Sequence, residues 1–189
     1  PDVVPAPTLS ILQEQLTLGK APMTMKHFEK EILFLLRKLS TEELSQIPDV
    51  TEGLENVLKK SSTESFTIEE LIEKIKTKRY TKTRVQRILI HTLLGISKKM
   101  TQEQKETPQY ARILAFSPKG KKLISEISKK SRIPIVTSVH KFLKNASISQ
   151  KEMLELDILA TNIYTLGYQV PAFRKVNLDY TTPIQEEKK

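Results

Sequence analysis

The 189-residue sequence has no cysteine, no tryptophan and only 5 glycines. The lack of cysteine excludes a disulfide-bonded scaffold, a cysteine-ligated zinc site, an iron–sulfur cluster and a thiol nucleophile. Neither Gly-rich phosphate-binding motif, G-x-G-x-x-G or G-x-x-x-x-G-K-[ST], occurs. No apolar run reaches the roughly 20 residues that a membrane span needs, so we expect no membrane partner. The composition, 38% hydrophobic and 28% charged, is instead typical of a folded globular chain.

The start of the chain has no basic segment followed by an apolar stretch, so we predict no secretory signal peptide and a cytoplasmic location. A natural chain rarely begins with Pro-Asp-Val-Val. We therefore expect the sequence to be a piece of a longer protein.

The formal net charge of +9 is unevenly distributed along the chain. Residues 1–73 hold 7 basic and 13 acidic side chains, residues 74–144 hold 19 and 3, and residues 145–189 hold 5 and 6. A middle block of net charge +16 therefore lies between two mildly acidic flanks. Because like charges repel and cost stability, such a block indicates a polyanionic partner, although a solvated lysine-rich face is the alternative.

Apolar residues recur mainly with a helical period, and fold-breaking residues and caps separate the segments. We predict capping boxes at Ser40 and Thr67, a connector or cap in the threonines of residues 77–83, and a cap at Ser117 before Pro118. The predicted helices cover residues 8–18, 25–39, 41–46, 51–60, 68–76, 82–95, 118–130, 139–144 and about 150–166. Residues 32–36 are apolar nearly all round, which predicts a central, buried helix. On the last helix the spacing predicts a core face made of Met153, Leu156, Leu159, Ala160 and Ile163.

Two short apolar runs, 112–116 and 133–137, flank helix 118–130 and predict a small βαβ unit. We predict a surface loop at 98–109. The predicted fold class is mainly α, a helical bundle with a small βαβ-type element near 111–137. Residues 1–97 would form a helical subdomain with a basic helix–turn–helix segment, 98–167 a small α/β-helical subdomain, and 168–189 a tail packed back through Tyr168 and Phe173.

The strongest functional signal is the run at residues 74–87, KIKTKRYTKTRVQR, which contains no acidic residue. Guanidinium groups bind phosphate oxygens in pairs, lysines act as point charges, and a tyrosine ring can stack on an unpaired base. We call residues 76–87 the basic turn. Its candidate RNA- or phosphate-binding residues are Lys76, Lys78, Arg79, Tyr80, Thr81, Lys82, Arg84 and Arg87. The alternative is a solvated turn whose arginines pair with the acidic segment 1–73.

A second basic cluster surrounds helix 118–130, where Lys119 and Lys122 are candidate contacts to a phosphate backbone. A solvated helix face is the alternative. The three histidines, His27, His91 and His140, are far apart in sequence, so we predict no metal site. We assign no catalytic residue. Asp157 lies in the middle of an apolar helix and could pair with an arginine or form a polar contact between subdomains.

Four runs together resemble one protein family. They are TEGLEN (51–56), KTKRYTKTRVQR (76–87), RILAFSPKG (112–120) and LDILATNIY (156–164). In this order they resemble the C-terminal half of the bacterial tRNA(Met) cytidine acetate ligases, a nucleotidyltransferase-like family. The resemblance covers roughly residues 8–167.

This resemblance implies that the full-length enzyme uses ATP and acetate to acetylate N4 of the wobble cytidine in elongator tRNA(Met). The family's N-terminal half binds ATP through a histidine motif, and no H-x-G-H motif occurs in this sequence. The resemblance thus implies a tRNA-facing half that binds no cofactor and is inactive alone, with the missing nucleotidyltransferase-like domain as a partner. Within it, residues 78–87 would contact tRNA or the edge of the ATP site.

Three hypotheses remain open from the sequence. The first is a tRNA-binding domain of a modifying ligase. The second is a structural or dimerisation domain that packs on the catalytic half without RNA affinity of its own. The third is a DNA-binding regulator that uses residues 68–95 as a helix–turn–helix, although base-reading Asn or Gln is sparse there, with only Gln86.

Overall fold

Helices dominate the structure, a computed structural model that describes residues 3–103 and 109–186. The chain divides into two compact units: one of residues 1–102 and 166–173, and one of residues 103–165 and 174–189. The first unit contains α1 (Ala6–Thr17), α2 (Glu29–Lys38), α3 (Thr41–Ser45), α4 (Leu54–Glu64), α5 (Ile68–Ile75), α6 (Lys82–Leu94) and most of α7 (Lys98–Glu103). The predicted mainly α class is confirmed.

The core of the first unit lies among α2, α4, α5 and α6, which pack against one another. Its fully buried side chains include Leu36, Leu58, Leu71 and Leu89. Burying each such side chain stabilises the fold by about 1.5–3 kcal/mol relative to exposure. The capping box predicted at Ser40 forms, because Glu43 N–H donates to Ser40 Oγ and Ser40 N–H donates to the Glu43 carboxylate.

Several predictions about this unit need correction. A 3-10 turn, Met25–Phe28, precedes α2, so the predicted helix 25–39 is not one continuous α-helix. In α2 the side chains of Ile32, Leu33 and Leu36 are buried, but Phe34 is 60% exposed, so the helix is not buried all round. The predicted helix 8–18 corresponds to α1, none of whose residues is buried. The predicted loop 98–109 contains α7, and residues 104–108 lie outside the described ranges.

The second unit combines short strands with helices. Its elements are β1 (Ala111–Arg112), β2 (Ala115–Phe116), α8 (Pro118–Lys130), β3 (Ile135–Val136), α9 (Val139–Asn145), α10 (Ile148–Leu166), α11 (Leu178–Thr181) and β4 (Gln185–Glu186). Strand β1 pairs in parallel with β3, in the register Ala111 with Ile135 and Arg112 with Val136. The predicted strand 112–116 is split, since β2 pairs in parallel with β4 instead. The predicted tail, residues 168–189, thus contributes α11 and β4 to this unit.

The core of the second unit is small and consists of Val139, Leu154 and Ile158, with Tyr110 and Phe142 packed against it. The rings of Tyr110 and Phe142 meet edge to face, with centroids 5.4 Å apart. Helix α10 therefore buries a different face from the predicted one, and Leu159 is 42% exposed. The start of α10 is capped by Ser147 and Gln150, whose side chains each accept the other's backbone N–H.

Asp157 on α10 has neither of the expected partners. Its carboxylate accepts a hydrogen bond from the Tyr110 hydroxyl. Burial, followed by this hydrogen bond, raises the pKa of Tyr110, so the hydroxyl stays protonated and donates. Asp157 thus ties α10 to the chain segment that enters β1.

Candidate nucleic-acid interface

The basic turn is a fixed structure that joins α5 to α6 and includes the first residues of α6. Thr77 N–H donates to the Tyr80 carbonyl at 3.0 Å, and Tyr80 N–H donates to Thr77 Oγ1 at 3.0 Å. Thr81 caps α6 by accepting the Arg84 N–H. Gly95 ends α6 in the left-handed conformation, with φ 68°. The predicted helix–turn–helix form of residues 68–95 is confirmed as local structure.

The arginines of the basic turn contact the acidic segment around Asp49. Arg84 donates from Nε and Nη2 to the Asp49 carbonyl at 3.2 and 2.6 Å, and from Nη2 to Thr51 Oγ1 at 2.9 Å. Arg87 Nε forms an ion pair with Asp49 Oδ2 at 2.6 Å. Arg79 pairs with Glu52. One alternative from the sequence was that these arginines pair with segment 1–73. The structure contains those pairs.

Tyr80 lies between two of these arginines. The guanidinium carbon of Arg84 is 5.1 Å from the ring centroid, and that of Arg79 is 5.9 Å away. The Tyr80 hydroxyl points to the Thr51 carbonyl at 3.5 Å, and the residue is half-buried. Its ring therefore helps to fix the turn and offers less area for stacking on a base than an exposed ring would.

Two lysines of the basic turn differ from their neighbours. Residues 74–102 hold nine basic and no acidic side chains. Seven of the nine have partners within the chain; among them, Lys76 pairs with Glu73, and Lys98 Nζ donates to the Ser45 and Val50 carbonyls. In this fully described stretch, Lys78 and Lys82 are the two without a partner, and both are exposed. These two remain able to meet a phosphate group without breaking an internal contact.

His91 lies on the same face of α6 as Arg84 and Arg87. It does not add a charge at neutral pH. Burial lowers its pKa from the ordinary value of 6.5, and this effect outweighs the opposing influence of Asp49 and of a hydrogen bond with the Pro48 backbone. His91 Nδ1 is buried without a hydrogen-bond partner. The residue is therefore a neutral group packed against the 48–49 segment.

The lysine-rich helix α8 begins as predicted, with Ser117 accepting the Gly120 N–H and Pro118 at the first helical position. Lys119 and Lys122 are exposed, and the intervening Lys121 pairs with Glu186 at 3.2 Å. No residue of α8 is buried, and Leu123 and Ile127 are about half exposed. The basic turn and the lysine helix belong to different units, and each is a separate candidate contact.

The described residues do not fit a nucleotide-activating or metal centre. Within 3–103 and 109–186, no group of three or more His, Asp or Glu side chains could hold a metal ion. The buried side-chain atoms without a partner there are Ser65 Oγ, His91 Nδ1 and Asp179 Oδ2. The carboxylate oxygen only accepts hydrogen bonds, the imidazole nitrogen donates or accepts according to its tautomer, and the serine hydroxyl can donate, whereas a triphosphate requires several donors. These three atoms therefore do not form a triphosphate site.

One surface of the first unit was missed from the sequence. Lys30, Leu33, Phe34, Arg37, Lys38 and Phe66 line an open groove of about 570 Å³. We call it the Phe groove, since Phe34 is 60% and Phe66 79% exposed. The available signal was the spacing of Lys30, Phe34 and Lys38, which places a ring between two lysines on one helix face. The apolar run around Phe34 obscured it.

Comparison with known proteins gives consistent matches. A family model described as HIGH Nucleotidyl Transferase matches residues 1–179. The chain is 43% identical to a tRNA(Met) cytidine acetate ligase of Acetivibrio thermocellus and 41% identical to one of Caldanaerobacter subterraneus, over 96% of its own length in each case. It spans 44% and 43% of the length of those two proteins, a little under half.

A solved structure has a similar fold. The crystal structure of Thermotoga maritima TmcAL in its apo form matches 98% of this chain and 46% of that protein, with a TM-score of 0.92 and 24% sequence identity. A second crystal form of that protein, bound with alpha-thio ATP, matches equally well, with a TM-score of 0.92. At this identity the likeness concerns the fold. No described helix of the present chain has the length and apolar character to cross a membrane.

Proposed function

The chain belongs to the HIGH nucleotidyl transferase family, and on that premise we propose that it is the tRNA-binding part of a tRNA(Met) cytidine acetate ligase. The whole enzyme would form N4-acetylcytidine at the wobble position of elongator tRNA(Met) from ATP and acetate. This part would be the C-terminal half and would be inactive alone. ATP and the adenylation step are assigned to the remaining domain, because the family's histidine motif, H-x-G-H, does not occur in this sequence.

The observation that carries this proposal is the pair of exposed, unpartnered lysines, Lys78 and Lys82, on the fixed basic turn. The six cations of that turn, from Lys76 to Arg87, face three carboxylates, those of Asp49, Glu52 and Glu73. Three positive charges thus remain uncompensated. The arginines anchor the turn, and the lysines project from it, which is a suitable arrangement for holding a phosphate backbone.

Binding of tRNA(Met) to this chain at a series of salt concentrations tests the proposal. Each lost phosphate contact reduces the slope of log affinity against log salt by about 0.9. We therefore expect Lys78→Ala with Lys82→Ala to lower the slope by about two. The matched control is Lys74→Ala with Lys76→Ala, which removes the same charge from lysines that pair with Glu64 and Glu73. We expect this control to lower the slope by less than about one.

Absence of tRNA binding by the unsubstituted chain, or affinity that does not depend on salt, would contradict the proposal. An acetylation assay with ATP, acetate and tRNA(Met) completes the test. We expect product from the full-length ligase and none from this chain alone. Product from the chain alone would refute the assignment of the chemistry to the other domain.

A structural or dimerisation domain that packs on the catalytic half is the second candidate. It is favoured by α1, where Ile11, Leu12 and Leu16 are 44–59% exposed although they are large and apolar. Titration with the separately produced remainder of the ligase, together with measurement of the particle mass, distinguishes the two. A tight complex with no tRNA affinity in this chain would favour the second candidate.

A further inference from the structure

The Phe groove combines features that rarely occur together on a protein surface. Single exposed apolar residues are ordinary, but here two phenylalanine rings line the same groove. The other lining residues are the buried Leu33 and the three cations Lys30, Arg37 and Lys38, and none is acidic. The groove therefore presents ring faces and positive charge in one place.

The helical period of α2 produces this arrangement. Lys30, Phe34 and Lys38 are four residues apart, so they lie along one face over about 12 Å at a rise of 1.5 Å per residue. Lys38 Nζ is 5.8 Å from the centroid of the Phe34 ring. One ammonium group thus lies near the ring, and Lys30 lies one helical turn before it on the same face.

The backbone that precedes the second ring, Phe66, is fixed by neighbouring residues. Arg37 donates from Nε to the Ser62 carbonyl at 2.9 Å and from Nη2 to the Ser65 carbonyl at 2.8 Å. Phe66 N–H donates to the Glu70 carboxylate at 2.9 Å. The peptide bond between Ser65 and Phe66 is therefore fixed, which lowers the ordering cost for a ligand that stacks on the ring.

Among the described residues, no nearby carboxylate forms an ion pair with the three cations of the groove. Glu70 accepts the Phe66 N–H, and Glu29 accepts the Ile68 N–H. Glu64 lies near Lys74 at 4.0 Å. Neither Lys30 nor Lys38 has an ion-pair partner among the described residues. The groove is complementary to a ligand with flat aromatic faces and negative charge.

We propose that the Phe groove binds an unpaired stretch of RNA, in which bases stack on Phe34 or Phe66 and flanking phosphates contact Lys30 and Lys38. Unpaired bases are the parts of an RNA whose faces are available to aromatic side chains. This inference rests on the proposed tRNA-binding function and adds a second contact to the basic turn. It concerns RNA loops, whereas the basic turn would bind the phosphate backbone in general.

The test compares two RNA probes and two kinds of substitution in the chain. One probe is a stem-loop with the sequence of the tRNA(Met) anticodon arm, carrying 2-aminopurine in the loop. The other is a blunt duplex of the same stem. The test variant is Phe34→Leu with Phe66→Leu, which keeps apolar side chains but removes the ring faces. The variant Phe34→Trp with Phe66→Trp restores stacking, and Val57→Ala is a control at another exposed apolar position.

Each lost stacking contact weakens binding by about 5- to 100-fold. We expect the double leucine variant to bind the stem-loop at least about tenfold more weakly and the duplex nearly as well as the unsubstituted chain does. The tryptophan variant should retain binding of the stem-loop and the quenching of 2-aminopurine. Because both rings are exposed, the thermal unfolding of these variants should match that of the Val57→Ala control.

Three results would overturn the inference. In the first, the leucine variant binds the stem-loop as tightly as the unsubstituted chain does. In the second, it loses both probes equally. In the third, it keeps both probes but loses binding to the remainder of the ligase, which would make the groove a protein-docking surface. If the unsubstituted chain binds neither probe, the proposed function fails as well. If it binds both in a Lys78- and Lys82-dependent manner and the leucine variant binds the stem-loop equally tightly, only this inference fails.

Discussion

Arg84→Ala should reduce the stability of the first unit more than it reduces RNA binding by the folded chain. The half-buried guanidinium makes three hydrogen bonds to the 49–51 segment, at 2.6–3.2 Å, and lies 5.1 Å from the Tyr80 ring. Hydrogen bonds from a charged group contribute about 1.5–3 kcal/mol each when shielded from water. Partial exposure and shared acceptors reduce the sum, so we expect a loss of about 2–3 kcal/mol.

Urea and thermal unfolding, followed by circular dichroism, measure this loss. A change of 2–3 kcal/mol lowers the midpoint temperature by roughly 6–12 °C for a unit of this size. Lys82→Ala, two residues away on an exposed and unpartnered side chain, is the matched control and should leave unfolding nearly unchanged. Thr51→Val removes one of the acceptors, so its effect should be smaller than, and not additive with, that of Arg84→Ala.

The opposite pattern would refute the assignment of Arg84 to the fold. An Arg84→Ala variant with unchanged unfolding, whose RNA affinity falls as far as that of Lys78→Ala with Lys82→Ala, would show that the arginine binds RNA directly. In that case the contacts with Asp49 and Thr51 would be incidental.

Three further outcomes follow from local geometry. Gly95→Ala should destabilise α6 by about 1 kcal/mol in urea unfolding, because alanine is strained at φ 68° although no atom lies in its way. Burial lowers the pKa of His91, so the unfolded chain binds the proton more readily than the folded chain does. The free energy of unfolding should therefore fall as the pH falls through about 6.5. Urea titrations of His91→Gln should show a weaker dependence on pH. Tyr110→Phe removes the donor to Asp157 and should cost about 1–3 kcal/mol. The pKa of Tyr110 is raised in the fold, so the unsubstituted chain should lose stability above about pH 10, where the unfolded tyrosine ionises, and Tyr110→Phe should not.

Local chemistry allowed much of the fold to be predicted. Caps at Ser40, Thr67, Thr81 and Ser117 were identifiable because a capping hydrogen bond spans only three residues. The buried face of α10 was wrong because apolar residues occupy more than one side of that helix. Periodicity alone therefore could not distinguish the Leu154 and Ile158 face from the one predicted.

The sequence pattern could not show which side chains are exposed or which distant residues pair, and the reason is physical. Asp49 is 35 residues from Arg84 and 38 from Arg87, so the pattern around each arginine carries no trace of its partner. Phe34 lies within an apolar run, and hydrophobicity alone does not tell a buried ring from an exposed one. The split of 112–116 into two strands depends on β4, which is about 70 residues away.

The long-range contacts of the fold also change how the charge distribution along the sequence is interpreted. A block of like charge along a sequence becomes a positive surface only where the fold leaves it uncompensated. The acidic segment 1–73 supplies Asp49, Glu52, Glu64 and Glu73 to the basic residues that follow it. On the basic turn, the cations that can still attract a polyanion are those without internal partners, Lys78 and Lys82. Substitution of these lysines therefore tests RNA binding itself, whereas substitution of the arginines tests the fold that presents them.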